Sequence, residues 1–405
     1  MKLKPYPKYK DSGIQWIGEI PEGWEAKRYK IRFKYVKGKI PENLEETNEK
    51  GYLPYLSMEY LRGNGKGILC ANDPKSIKVS EGDLLLLWDG SNAGEFVLGK
   101  KGYLSSTMVK LNVENFNSKF SWYLCKSFEP LLRDLTIGMG IPHVNGDTLG
   151  NIRIPVPNSE DQTAIANFLD KKTARIDALI EKDKRLIKLL KERRTALINH
   201  AVTKGLDPDV KMKKANLLTC DESPENWRIV RIKFVIRLSR GVDLSSDDFE
   251  EGNIPVYGSN GIIGYHNKAT SKGPGVTVGR SGSVGEVNFA NEEKYWAHNT
   301  SLYLQENYGN NVRYIYYLLS ILDLKHLAAG SAVGTLNRNY IHDLFVSLPS
   351  KQEQQKIVEY LDKATSKIDK TIQKIEKKIK LLEEYKKSLI HHVVTGKVNV
   401  KGVEA

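Results

Sequence analysis

The side chains of this chain best suited to chemistry sit in glycine-rich loops. In the first half these are Arg62-Gly63-Asn64-Gly65-Lys66 and Asp89-Gly90-Ser91-Asn92; in the second they are Tyr257-Gly258-Ser259-Asn260-Gly261, Tyr265-His266-Asn267-Lys268 and Arg280-Ser281-Gly282-Ser283. Arg and Lys donate to guanine O6 and N7, and Asn pairs with adenine N6 and N7, so these residue types suit hydrogen-bonded reading of base edges. Glycine lets backbone approach a phosphate closely. The candidate DNA contacts are therefore Arg62, Asn64, Lys66, Ser91, Asn92, Ser259, Asn260, His266, Lys268, Arg280 and Ser281. Glycine and asparagine are equally what tight turns need, and that alternative stays open for every loop.

No catalytic constellation accompanies them. The chain has no Walker-type G-x-x-x-x-G-K-S/T, no G-x-G-x-x-G between a strand and a helix, no H-E-x-x-H, no C-x-x-C and no G-x-S-x-G. His391 and His392 fall near the end of a helical stretch, where they suit its negative pole better than a metal. The expectation is a binder with no catalytic residue, no metal site and no cofactor of its own. A net charge of +13 favours a polyanionic partner. Nothing approaches 18 consecutive apolar residues, and Met1-Lys2-Leu3-Lys4-Pro5 does not open a signal peptide, so the cytoplasm is expected. Cys70, Cys125 and Cys220 are odd in number and far apart, which fits reduced thiols.

The loops need a scaffold, and short strands supply it. Tyr52–Ser57, Asp83–Trp88, Thr107–Val113 and Asn151–Pro155 read as strands, with Phe120–Leu135 as the one helix among them. The second half repeats this as strands near Ile254–Tyr257, Gly275–Gly279 and Ser301–Gln305, then a helix over Val312–Leu327. Each part is therefore α+β. A long helix follows each: Asn158–Thr203, with Glu160 and Asp161 in its first turn, and Ser350–Thr395, with Glu353 and Gln354. Leu361, Ile368, Ile375, Leu382 and Leu389 recur every seven residues, interleaved with Ile372, Ile379 and Val393, which is a coiled-coil seam. The first helix keeps that seam at Leu169, Ile176, Ile180, Ile187, Leu190 and Leu197 but places Asp183 and Arg194 on it.

The two halves are copies. Pro157, Gln162, Leu169, Asp170, Ile176, Asp177, Leu189, Leu190, His200 and Thr203 reappear as Pro349, Gln354, Leu361, Asp362, Ile368, Asp369, Leu381, Leu382, His392 and Thr395, each displaced by 192 residues. Pro21-Glu22-Gly23-Trp24 matches Pro224-Glu225-Asn226-Trp227, Gly94-Glu95 matches Gly285-Glu286, and Gly138 and Asn145 match Gly330 and Asn337. A unit this long is a whole domain rather than a solenoid repeat. The pattern predicts a pseudo-two-fold with antiparallel helices, Ile180 and Ile372 facing each other, and chain ends that lie close together.

The order of these segments resembles the specificity subunit of type I restriction-modification systems. The helix entries Ile154-Pro155-Val156-Pro157-Asn158-Ser159-Glu160-Asp161-Gln162 and Leu348-Pro349-Ser350-Lys351-Gln352-Glu353-Gln354 carry the likeness. So do Gly18-Glu19-Ile20-Pro21-Glu22-Gly23-Trp24, Tyr257-Gly258-Ser259-Asn260-Gly261, and the exits Val202-Thr203-Lys204-Gly205 and Val394-Thr395-Gly396-Lys397. The first entry departs from the family in its Pro-Val-Pro and in Asp161 before Gln162.

The resemblance implies two similar target-recognition domains separated by an antiparallel coiled coil. Residues 1–156 would be the first such domain, 157–205 the first spacer helix, 206–348 the linker and second domain, and 349–405 the second helix and tail. Each domain would read one half of a split, asymmetric site in double-stranded DNA. The helices would set the gap and dock two methyltransferase subunits, to which restriction and translocase subunits join. S-adenosylmethionine, ATP and Mg would belong to those partners, and no membrane is involved. An orphan specificity protein is the rival reading. A self-contained DNA-modifying enzyme would need an Asn-Pro-Pro-Tyr-like or acidic metal constellation that the sequence does not contain.

Overall fold

The structure is a computed structural model that describes residues 4–47, 49–63, 69–138, 140–328 and 334–403. It divides into two compact units, one of Met1–Asp183 with Lys377–Ala405 and one of Lys184–Glu376. Each unit thus holds a globular part and a stretch of both long helices.

In the first unit an antiparallel sheet runs in the order Phe96–Leu98, Leu84–Leu87, Met108–Val113, Phe33–Lys37. A second sheet pairs Leu53–Leu56 in parallel with Gly102–Leu104. In the second unit the first sheet reads Val287–Ala290, Gly275–Gly279, Ser301–Glu306, Arg237–Arg240, and Ile254–Gly258 pairs in parallel with Lys294–Ala297. Strand order and sense are the same in both copies. The all-apolar run Leu84–Leu87 is buried throughout, as a strand covered on both faces should be.

The helices differ from expectation in extent. Ser118–Asp134 matches the expected helix closely, but its counterpart is only Val312–Ser320, followed by turns and a short 3-10 segment at His326–Ala328. In the turns that follow, the Asp323 carboxylate pairs with His326 at 2.5 Å and Leu324 N–H bonds Leu322 C=O. Two short helices, Met58–Leu61 and Gly146–Asn151, also join the first unit. Asn145 caps the second of them at 2.9 Å, and Asn337 caps its partner Arg338–His342, which explains that repeated asparagine. Gly94 and Gly285 hold φ of 90° and 81°, and a Cβ there would press on Arg133 and Lys325, which explains that repeated glycine. Of the pair Gly138 and Gly330, the latter lies outside the described residues.

The long helices are Ser159–Lys204 and Lys351–Val394, started by caps from Asn158 to Asp161 N–H and from Ser350 Oγ to Glu353 N–H. In the first unit Asp177 pairs with Lys386 at 2.7 Å and Asp183 with Lys378 at 2.8 Å, so the two segments run antiparallel. In the second unit Arg194 pairs with Asp369 at 3.0 Å, and Ile198 and Val202 enter the same core as Leu361 and Ile357, again antiparallel. Both polar seam residues are therefore neutralised by the opposite helix. The two ion pairs of the first unit bracket Ile180 and place Leu382 opposite it, which corrects the expected facing of Ile180 and Ile372.

The repeated residues are those that fasten each globular part to its helix. Gln162 accepts from Asn117 N–H at 2.8 Å and donates to Pro157 C=O; Gln354 accepts from Asn311 N–H at 3.0 Å and donates to Pro349 C=O and Asn310 Oδ1. Asp170 holds Lys119 and the Tyr123 hydroxyl, as Asp362 holds Arg313 and the Tyr317 hydroxyl. Trp24 and Trp227 lie buried beneath the junctions. Leucine in place of Gln354 would strand a buried amide N–H and two oxygens, at about 1–3 kcal/mol each. Gln354→Leu should accordingly lower the urea midpoint of the transition reported by Trp227, and an unshifted midpoint would mean that the clamp is dispensable.

The chain ends meet in the first unit. Lys4 and Asn399 form an antiparallel bridge, Tyr9 donates its hydroxyl to Gly396 C=O at 3.0 Å, and Lys397 donates to Glu19 C=O at 2.6 Å. In the second unit unbroken chain leads from the end of the first long helix into the hairpin of Met212–Lys214 with Glu222–Pro224. Among the described residues no helix is long and apolar enough to cross a membrane.

Candidate nucleic-acid interface

In the first unit the candidate residues collect around the turn after Leu84–Leu87. Trp88 and Asp89 N–H groups bond Thr107 C=O, Gly90 N–H bonds Pro142 C=O, and Glu95 N–H returns to Asn92 C=O. Arg62 reaches this turn by donating to Glu95 at 2.6 Å, so Arg62, Ser91 and Asn92 share one edge. Ser91 is exposed, whereas Asn92 Oδ1 is taken by Arg133 at 3.3 Å. Asn64 and Lys66 lie outside the described residues.

The charges on this edge are largely neutralised. Glu95 offsets Arg62, and Asp89 offsets Lys37 at 2.9 Å. Beside them the Tyr35 and Trp88 rings pack at a 38° tilt with centroids 4.7 Å apart, and Tyr35 is 46% exposed, enough ring to meet a sugar or base. Neither aromatic stands among the residues singled out from sequence. The glycine-rich loops drew attention to themselves, while the aromatic pair exists only through strand pairing.

In the second unit four of the six candidates come together. The loop at Ser259 lies against Gly279 and Gly282, Asn260 is exposed beside it, and Arg280 and Ser281 N–H groups both bond Thr300 C=O, at 2.8 and 3.2 Å. Among the described residues Arg280 forms no ion pair, and its guanidinium makes only a 3.5 Å bond to Asn299 C=O. It is thus free to donate to an incoming acceptor. Arg280 occupies the place of Trp88 in the first unit, since their N–H groups bond Thr300 and Thr107 C=O and their C=O groups accept from Leu336 and Val144 N–H. One scaffold position carries a cation in one copy and an aromatic ring in the other.

His266 and Lys268 are not part of this cluster. In the hairpin of Ile254–Gly258 with Gly261–His266, Gly258 faces Gly261 at the turn while Ile254 faces His266 at the far end. His266 is 3% exposed, its Nδ1 accepts from Glu250 N–H, and its ring packs edge-on against Trp296 at 5.1 Å. It is a core histidine, which corrects its assignment as a DNA contact. Lys268 is exposed but pairs with Glu250 at 3.6 Å, at the same far end.

Comparison with known proteins agrees with this architecture. The model of the type I restriction modification DNA specificity domain matches residues 21–189 and again 224–381. The chain is 39% identical over 237 residues to the type I restriction enzyme MjaVIII specificity subunit of Methanocaldococcus jannaschii, covering 58% of this chain and 54% of that one. It is 22% identical over 420 residues to the putative type I restriction enzyme MjaX specificity subunit of the same organism, covering 95% and 96%. The chain thus spans about half the length of the first relative and nearly all of the second. A solved chain of the type I R-M system, from work on its complex assembly and conformational transition, superposes with a TM-score of 0.70 at 16% identity, covering 94% of this chain and 99% of that one. With two successive matches spanning most of its length, the chain belongs to the family of type I restriction modification DNA specificity domains.

Proposed function

We propose that the chain is the DNA-reading subunit of a type I restriction-modification complex and performs no catalysis itself. The observation that carries this reading is one scaffold built twice with different side chains at the same edge, Trp88 beside Tyr35 in one copy and Arg280 in the other. Each edge would read one half of a split, asymmetric site in double-stranded DNA, because base contacts specify sequence while the framework only positions them. The long helices would set the gap.

The same helices would dock two methyltransferase subunits. Leu179, Leu381 and Tyr385 in the first unit and Leu186, Leu189 and Tyr360 in the second are large apolar side chains left exposed along them, which suits a partner protein. S-adenosylmethionine, ATP and Mg would be used by the methyltransferase and restriction or translocase subunits, in the cytoplasm. Co-expression with a methyltransferase subunit of this class in a host lacking adenine methylation, followed by mapping of N6-methyladenine, tests the reading. A split motif interrupted by unspecified bases is expected; an uninterrupted motif, or methyl transfer by the chain alone, would overturn it.

A further inference from the structure

The second unit carries a cluster of cations that form no ion pair among the described residues. A cavity of about 270 Å³ is lined by Lys233, Arg237, Tyr308, Arg338, Asn339 and His342. Among the described residues Lys233, Arg237 and Arg338 form no ion pair. Arg338 makes one bond, to Ser239 Oγ at 3.3 Å, and Lys233 lies over the Phe234 ring. The nearby acids are engaged elsewhere. Glu306, the cross-strand neighbour of Arg237, accepts from Asn307 and Tyr308 N–H at 3.0 and 3.1 Å, and Asp343 faces Arg231 at 4.0 Å.

His342 adds no charge of its own. Its Nε2 accepts from Leu238 N–H at 3.0 Å, and burial, then the Arg338 and Arg237 charges, hold the imidazole below its usual range. Three long cations thus surround a polar cavity with hydrogen-bond donors from Tyr308 and Asn339 and no anion to meet them. That is the composition of a phosphate site.

Its position ties it to the reading edge. Leu336 N–H bonds Arg280 C=O at 2.8 Å, so the segment that delivers Arg338 is fastened to the candidate base reader. The equivalent cavity of the first unit, about 80 Å³ and lined by Lys30, Phe33, Gly146, Asp147 and Gly150, lacks such a cluster. Displaced by 203 residues like Trp24 and Trp227, Lys30 and Lys34 replace Lys233 and Arg237. Following Asn145 as Arg338 follows Asn337, Gly146 replaces the arginine, and Asp147 replaces Asn339. Glu114, three residues before the capping Asn117 as Tyr308 is before Asn311, neutralises Lys34 at 2.6 Å.

We propose that Lys233, Arg237 and Arg338 form a clamp for backbone phosphates of the DNA strand that reaches Arg280, and that the first unit lacks such a clamp. This rests on the reading of the chain as a DNA-binding subunit. The two units then hold DNA differently: the second contributes more of the salt-sensitive affinity, while the first relies on contacts around its tilted aromatic pair and its ion-paired cations.

The test is the salt dependence of DNA binding by the full chain assembled with its methyltransferase subunits, since each phosphate contact contributes a slope of about −0.9 in log K against log salt. Replacing Arg237 and Arg338 together by Gln should reduce the slope by about 1 to 2 while leaving the preferred bases unchanged. Replacing Lys30 and Lys34 together by Gln should reduce it by less than half as much, and Arg237→Lys with Arg338→Lys should keep it. An unchanged slope in the Gln variant overturns the clamp and leaves the DNA reading intact. Altered base preference overturns the phosphate assignment, and a Lys variant as impaired as the Gln variant shows that packing rather than charge was lost. If the unaltered assembly does not bind DNA, both the reading and the clamp fall.

Discussion

A chain whose residues 25–150 come from a relative of different specificity is expected to bind a site altered in one half only. The structure gives the reason this exchange should fold. Glu25–Arg28 pairs with Arg153–Val156 through backbone bonds, which tolerate sequence change, and Gln162 recognises the backbone N–H of Asn117 rather than its side chain. The junction asks of the donor mainly a hydroxyl and a cation to meet Asp170 in place of Tyr123 and Lys119. Each base pair that becomes mismatched costs about 1–3 kcal/mol, a factor on the order of 10 to 100. The original first half-site should therefore be lost by several such factors, with the second half-site and the gap kept. Selection of bound sites from randomised DNA measures this, and changes in both halves would show that recognition is not local to a unit.

The frame of the molecule was legible because duplication exposes it. Residues that recur at a fixed displacement, such as Gln162 and Gln354 or Asp170 and Asp362, proved to be the clamps between globular part and helix. Heptad spacing gave the helices, and the two polar seam positions were rightly marked as special, though their partners Lys378 and Asp369 could not be read without the pairing. Loop chemistry was less legible. Glycine and asparagine mark turns whatever they bind, so His266 entered the candidates although its ring serves the core, and Arg237 with Arg338 went unnoticed because they stand 101 positions apart in the chain although their side chains share one cavity. Charge that lacks a partner is a property of the folded neighbourhood, not of the residue.

A heptad inserted in both long helices should lengthen the preferred gap or weaken binding. The register locates the points: one insertion after Asp183 and one before Lys378 leaves the Asp183–Lys378 pair whole on one side and the Arg194–Asp369 pair whole on the other. Seven residues add about 10 Å of helix, close to three base-pair rises of about 3.4 Å each. Those three steps also turn the second half-site by about 100°, given roughly 10 to 10.5 base pairs per turn. A straight insertion restores distance and not angular phase, so DNA must bend or untwist, at an energetic cost that depends on the sequence of the gap. Weaker binding with a gap about three base pairs longer and both half-sites unchanged is the expected result, read by selecting bound sites from a library of gap lengths. An unchanged preferred gap at full affinity would mean that the helices do not set the spacing. Because the insertion leaves both reading edges and their clamps intact, such an outcome would refute the spacing role alone and not the assignment of the two units as DNA readers.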